Sequence, residues 1–213
     1  MFVVALGYVT AQPYFPKRVL KKWVIEDLRR TKVLAVAVSE ISSSIWNHRL
    51  TPEGKHELFV KLLSAIKSEV EGITGDHQGI YFNVALLLLD DRDESLNVVC
   101  RANHDRPLTS YRKTDLLVSD VLSTGEALYV ADCQFSDKPY RAIFAIPLVF
   151  GPEHSKMFVS GVVSIDSSER NHFDGLEDEI ETKTLPYISM LKLVITTDEA
   201  LKLGKWRQNG QKR

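Results

Sequence analysis

The chain has 213 residues and a mass of 24.1 kDa, room for one domain with extensions but not for two full domains at roughly 100–200 residues each. With 44% hydrophobic and 26% charged residues and a mean hydropathy of −0.11, it is neither a disordered chain, a collagen-like repeat nor a polytopic membrane protein. The net charge of −1 divides unevenly: residues 1–50 carry eight Lys/Arg and three Asp/Glu, residues 200–213 carry five Lys/Arg and no acid, and residues 51–199 carry 14 bases against 25 acids. Two basic ends thus flank an acidic centre of net charge −11, which excludes a nucleic-acid groove there, since phosphate neutralisation needs a concentrated positive surface.

Two cysteines, Cys100 and Cys133, are too few for a disulfide scaffold or a four-cysteine zinc site, and no Asn-x-Ser/Thr sequon marks a secretory route. A cytoplasmic protein is expected. Residues Met1 to Phe15 are mostly apolar, but Gly7, Gln12 and Pro13 interrupt them, and the run is shorter than the roughly 20 residues of a membrane span. Lys17, Arg18, Lys21 and Lys22 follow, so the N-terminus is either a packed strand or coil or a peripheral membrane contact.

From Pro16 to about Trp46, Val19, Leu20, Trp23, Val24, Leu28, Leu34, Val38, Ile41 and Ile45 recur at helical spacing and predict one or two amphipathic helices. Thr51 reads as an N-cap with Pro52 at the first helical position, and Leu58, Phe59, Leu62, Leu63, Ile66 and Val70 form one apolar face ended by Gly72. The pattern then becomes short and β-rich. Tyr81 to Leu89 and Leu96 to Ala102 predict a hairpin, Thr114 to Leu122 a short helix ended at Thr124-Gly125, and Ala127 to Ala131 a strand. Arg141 to Phe150 and Met157 to Asp166 predict a second hairpin across Gly151-Pro152, with Pro147 in an edge or bulge position. Asp174 and Glu177 read as a capping box opening a last helix that Pro186 should kink or divide.

The stretches Thr124-Gly125-Glu126-Ala127-Leu128-Tyr129-Val130-Ala131-Asp132, Ala145-Ile146-Pro147-Leu148, Ser160-Gly161-Val162-Val163-Ser164-Ile165-Asp166-Ser167 and Phe173-Asp174 resemble, in that order, a GAF domain over about residues 55–197. The resemblance implies an α+β fold: an antiparallel sheet of about six strands, first and last helices on one face, and a small-molecule pocket on the other, roofed by the segment from about His104 to Leu122. The organisation expected is therefore an apolar/basic segment and helical extension over 1–50, a GAF-like domain over 51–199 and a basic tail over 200–213.

Three activities known in that family can be set against the residues. Covalent bilin attachment pairs a cysteine with a following histidine, whereas Arg101 follows Cys100 and Gln134 follows Cys133. Free methionine sulfoxide reductases, which this chain also resembles around Asp166-Ser167, need a nucleophilic thiolate, a resolving thiol and several carboxylates. Here the loop Gln134 to Tyr140 lacks a cysteine, Ser164 and Ile143 stand where carboxylates would, and Cys133 is displaced. Cyclic-nucleotide binders of the phosphodiesterase group are echoed only by Asn171, Phe173, Asp178 and Glu179, which a core position and a helix N-terminus account for.

No histidine has metal-ligand spacing, and no Walker loop, nucleophile elbow or dinucleotide fingerprint occurs. His104-Asp105-Arg106 reads as a polar hairpin end. The expectation is a non-catalytic sensory or dimerisation module without cofactor or metal, binding a small molecule, a nucleotide-like one among the candidates. It would signal through terminal helices in a homodimer. Candidate ligand-binding residues are Tyr140 and Arg141 at a strand mouth and Ser164 and Asp166, which share a strand face by alternation. A thiol-dependent reductase and a membrane-surface adaptor are the alternatives.

Overall fold

A computed structural model describes residues 17–46, 51–75, 79–90, 95–103, 106–112, 116–133, 139–150 and 158–210. The N-terminal stretch Met1–Phe15, residues 134–138 and 151–157, and His48, His77, His104 and His154 lie outside the described residues. Among the described residues, four helices and six strands follow in the order α1 (Lys17–Trp46), α2 (Pro52–Thr74), β1 (Phe82–Asp90), β2 (Ser95–Arg101), β3 (Ser110–Arg112), α3 (Leu116–Thr124), β4 (Leu128–Val130), β5 (Ala142–Phe150), β6 (Phe158–Ser167) and α4 (Glu177–Gly210). The strands form one sheet in the order β3-β2-β1-β6-β5-β4, antiparallel throughout.

Alternation along the strands gives the sheet two faces. Val84, Leu86, Cys100, Phe144, Ile146, Val163 and Ile165 point to the helices and share one core with Leu58, Leu62, Leu63 and Ile66 of α2 and with Ile180, Tyr187 and Leu191 of α4. Ala37 and Ile41 of α1 belong to the same core, so the N-terminal extension packs on the body. Each fully buried aliphatic side chain there contributes about 1.5–3 kcal/mol of transfer free energy. A polar clasp joins the three helices: Arg30 donates to Glu69 through Nε at 3.1 Å and NH2 at 2.7 Å, and the Tyr187 hydroxyl donates to Glu69 at 3.0 Å.

On the opposite, distal face, Val121 of α3 covers a smaller apolar cluster of Ala85, Leu87, Leu96, Val98, Ala145 and Val162. Gly125, at φ +69, ends α3, its N–H bonding the Val121 carbonyl at 3.1 Å. Gly161 has a steric cause. A Cβ there would run into the Leu87 carbonyl and the Leu88 side chain, so the glycine lets β6 lie against β1 at this point.

Several boundaries differ from the sequence expectations. Thr51 caps α2, accepting from the Gly54 N–H at 3.1 Å, but the helix passes Gly72 and ends at Thr74, because tertiary burial outweighs a glycine penalty of about 1 kcal/mol. Asp174 does not cap α4. A turn with Asn171 at φ 54 and Gly175 at φ +71 intervenes, and the helical bonding begins with Ile180 N–H to the Leu176 carbonyl at 2.9 Å. Glu177, Asp178 and Glu179 complement the dipole of the first turn. Pro186 does not divide α4, which continues to Gly210, so residues 200–210 extend the helix. Pro147 pairs with Val162 on β6, beyond the Ala145–Leu128 pair at which β4 begins, and a bulge follows at Leu148/Val149. Ser110–Arg112, expected as irregular roof, is the edge strand β3.

Candidate functional site

Two neighbouring register rows make the floor of the distal face. One runs Arg101–Ala85–Ser164–Ala145 across β2, β1, β6 and β5, and the next runs Asn83–Asp166–Ile143 across β1, β6 and β5. Ala85 and Ala145 of these rows belong to the apolar cluster under Val121, and Ser164 between them is half-buried. Asn83 is 0%, Asp166 3% and Arg101 6% exposed, a depth at which charged groups are rarely found unless paired.

Asp166 is the centre of the cluster. One oxygen accepts a short bond from Arg106 NH2, and the other accepts from Asn83 Nδ2 at 3.3 Å. Burial pushes the Asp166 carboxyl above the usual carboxylate range, against the pull of Arg106, Asn83 and Arg101. Burial opposes the charge on Arg106, yet Asp166 holds its pKa above the usual value. The Arg106 guanidinium lies 4.9 Å from the Tyr81 ring centre and 5.4 Å from that of Tyr140, so aromatic faces flank the cation.

The cluster also reaches the helical layer. Asn83 Oδ1 accepts from the Asn103 N–H at 3.4 Å, and Asn103 Oδ1 accepts from Lys67 Nζ of α2 at 2.8 Å. A continuous polar chain thus leads from Arg106 through Asp166, Asn83 and Asn103 to α2.

Of the four residues expected at the site, Tyr140, Ser164 and Asp166 come together on this face. Arg141 does not pair with Asp166 across the strands. Its Nε and NH2 donate to Asp132 Oδ1 at 3.0 and 2.6 Å, because it precedes β5 and faces the end of β4. Arg106, expected as a polar hairpin end, is instead the partner of Asp166. Sequence reasoning also passed over Asn83 and Arg101. Both carry a signal: a polar residue inside the apolar run Tyr81–Leu89, and a cation closing the apolar strand Val98-Val99-Cys100.

Cys133 is 3% exposed, and burial pushes its thiol up to about 11, with Asp132 adding to the effect. Cys100 is likewise buried and pushed up to about 11. Phe173 fills the core, edge-on to Phe82 and Tyr129, while Asn171, Asp178 and Glu179 are exposed, so they do not converge on the distal face. Among the described residues, no group of three His, Cys, Asp or Glu can hold a metal, and no helix is long and apolar enough to cross a membrane. A shallow depression lined by Pro52, Glu53, His56, Glu57 and Val60 lies at the start of α2, apart from the polar cluster.

No protein-family model matches the sequence, and no curated protein matches it. Among solved structures, the chain is similar to the GAF domain from Acinetobacter phosphoenolpyruvate-protein phosphotransferase, at 13% identity over 81% of this chain and 96% of that one, with a TM-score of 0.52. It is also similar to a GAF domain/HD domain protein from Geobacter sulfurreducens, at 13% identity over 72% and 99% with a TM-score of 0.47. A third is a free methionine-R-sulfoxide reductase from Neisseria meningitidis in complex with its substrate, at 19% identity over 73% and 97% with a TM-score of 0.43. At these identities the likeness concerns architecture alone. Sheet order, helical layer and the first of these likenesses together give the protein a GAF-like fold.

Proposed function

We propose that the protein is a non-catalytic sensory or dimerisation module that binds a small molecule on the distal face of its sheet and signals through its terminal helices. The observation that carries this reading is the polar chain from Arg106 and Asp166 through Asn83 and Asn103 to Lys67 of α2. A ligand that moves Asp166 or Arg106 changes the hydrogen bonding of α2, and the Glu69 clasp passes that change to α1 and α4. Such a network is a physical route for two-state coupling. Leu28, Val36 and Val38 on α1 and Leu185 and Leu193 on α4 are exposed aliphatics, which suits a homodimer formed through these helices.

A reductase needs an accessible thiolate. With the Cys133 thiol buried and its pKa near 11, the sensory reading is the better supported. Turnover of free methionine sulfoxide by the wild-type protein that Cys133→Ser abolishes would reverse that ranking.

Native mass spectrometry of the freshly purified protein tests the proposal. The expected spectrum is a dimer retaining one small molecule per chain, with the added mass lost in Ser164→Leu, where a larger side chain fills the floor. A bare monomer at micromolar concentration would overturn both parts.

A further inference from the structure

The geometry points to an anion subsite within the distal-face pocket: Arg101 and Arg106 together hold a singly charged oxyanion of a small molecule, a carboxylate or a phosphodiester. This deepens the pocket reading above and rests on it for the place of the ligand.

Two guanidinium groups face one carboxylate. Arginine stays protonated in proteins, so neither can escape burial by losing its proton. Asp166 is already used on both oxygens, by Arg106 and by Asn83. Arg101, 6% exposed, has no hydrogen bond or ion pair from its side chain among the described residues, and its Nε is closed off from solvent without an acceptor. Arg106 Nε is in the same condition. Among the described residues, the two cations therefore share the single carboxylate of Asp166, which interacts with both, and two shielded Nε donors have no acceptor. An uncompensated buried charge is strongly unfavourable, and the register offers a cheaper solution, since a valine or leucine opposite Ala85 would only add apolar burial.

The surroundings favour a small oxyanion. Arg101 stands at the end of the row that continues through Ala85, Ser164 and Ala145, all short side chains, and the half-buried Ser164 hydroxyl is a further donor. Guanidinium forks match the paired oxygens of a carboxylate or phosphodiester. A dianion would set a second negative charge beside the buried Asp166, whereas a monoanion gives the two guanidinium groups one anion each.

Calorimetric and thermal-melting titrations with sodium acetate and with sodium dimethyl phosphate, against sodium chloride at equal ionic strength, test the inference. The expected result is saturable binding of at least one probe, with Tm rising by about 5 °C at a hundredfold excess over Kd. Arg101→Met should fold, melt no lower than the wild type without probe, and lose the response. Arg101→Lys, which keeps charge but not the fork, should bind at least about tenfold more weakly. No probe response in the wild type, or a melting loss in Arg101→Met as large as that of a core truncation, overturns the inference and makes Arg101 a structural group. A retained neutral or cationic ligand lost in Ser164→Leu, with no probe response, rejects the anion subsite alone. Probe binding lost in Arg101→Met, together with a bare monomer in native mass spectrometry, rejects the sensory reading alone.

Discussion

The two faces of the sheet are buried to similar depth by different chemistry. On the helical face, Phe173, Ile180, Tyr187 and Leu191 fill a shared apolar core, and the buried Thr184 hydroxyl is satisfied locally by the Ile180 carbonyl at 2.8 Å. On the distal face, Asn83, Arg101 and Asp166 are equally enclosed, yet among the described residues one carboxylate stands against two guanidinium groups and two guanidinium nitrogens have no acceptor. Burial that holds a fold together closes its hydrogen bonds. Burial that leaves donors open is the exception in folded proteins and calls for a cause, which the proposed ligand would supply here.

Substitutions can break or sharpen this contrast. The largest effect belongs to the helical face: Phe173→Ala removes a ring set edge-on against Phe82 and Tyr129 and should cost about 3–5 kcal/mol in urea unfolding. Asp166→Ala comes next at about 3 kcal/mol, because it strands Arg106 beside Arg101. A loss below about 1 kcal/mol there would mean that the distal charges are relaxed by water and the two faces differ less than argued.

Arg141→Ala should cost under about 1 kcal/mol, since its pair with Asp132 has both side chains about one-third exposed. Titration separates the faces more finely. The Asp166 carboxyl, raised by burial, takes up a proton more readily in the folded than in the unfolded chain. Its contribution is therefore most favourable below the ordinary carboxylate pKa of about 4 and declines as pH rises from there to the raised value. Stability curves of wild type and Asp166→Asn should show the wild type gaining relative to the variant on acidification. The opposite slope would mean that Arg106 and Asn83 keep the carboxylate ionised through that range.

Much of this arrangement is legible in the sequence where local rules suffice. The Thr51-Pro52 start of α2, the hairpin strands and the alternation that puts Ser164 with Asp166 all follow from capping chemistry and period-two patterning. Errors occur where tertiary contacts decide. Gly72 and Pro186 look like stops in a local reading, but both sit in helices held by the large core. The partner of Asp166 is not marked by any local pattern, since Arg106 reaches it from a segment 60 residues away in the chain. Pairing among several equivalent arginines depends on where loops return, and spacing does not carry that information.

Asn83 gives the chain of polar contacts a direction. Its oxygen is committed to the Asn103 N–H and its amide NH2 to Asp166, so turning the amide over would break both contacts at once. The polarity of the pocket floor is thus set by the choice between an amide and an acid at one position. Exchanging that NH2 for an oxygen, as in Asn83→Asp, would replace the donor to Asp166 by a second carboxyl in a buried contact, where the two acids cannot both ionise and must share a proton.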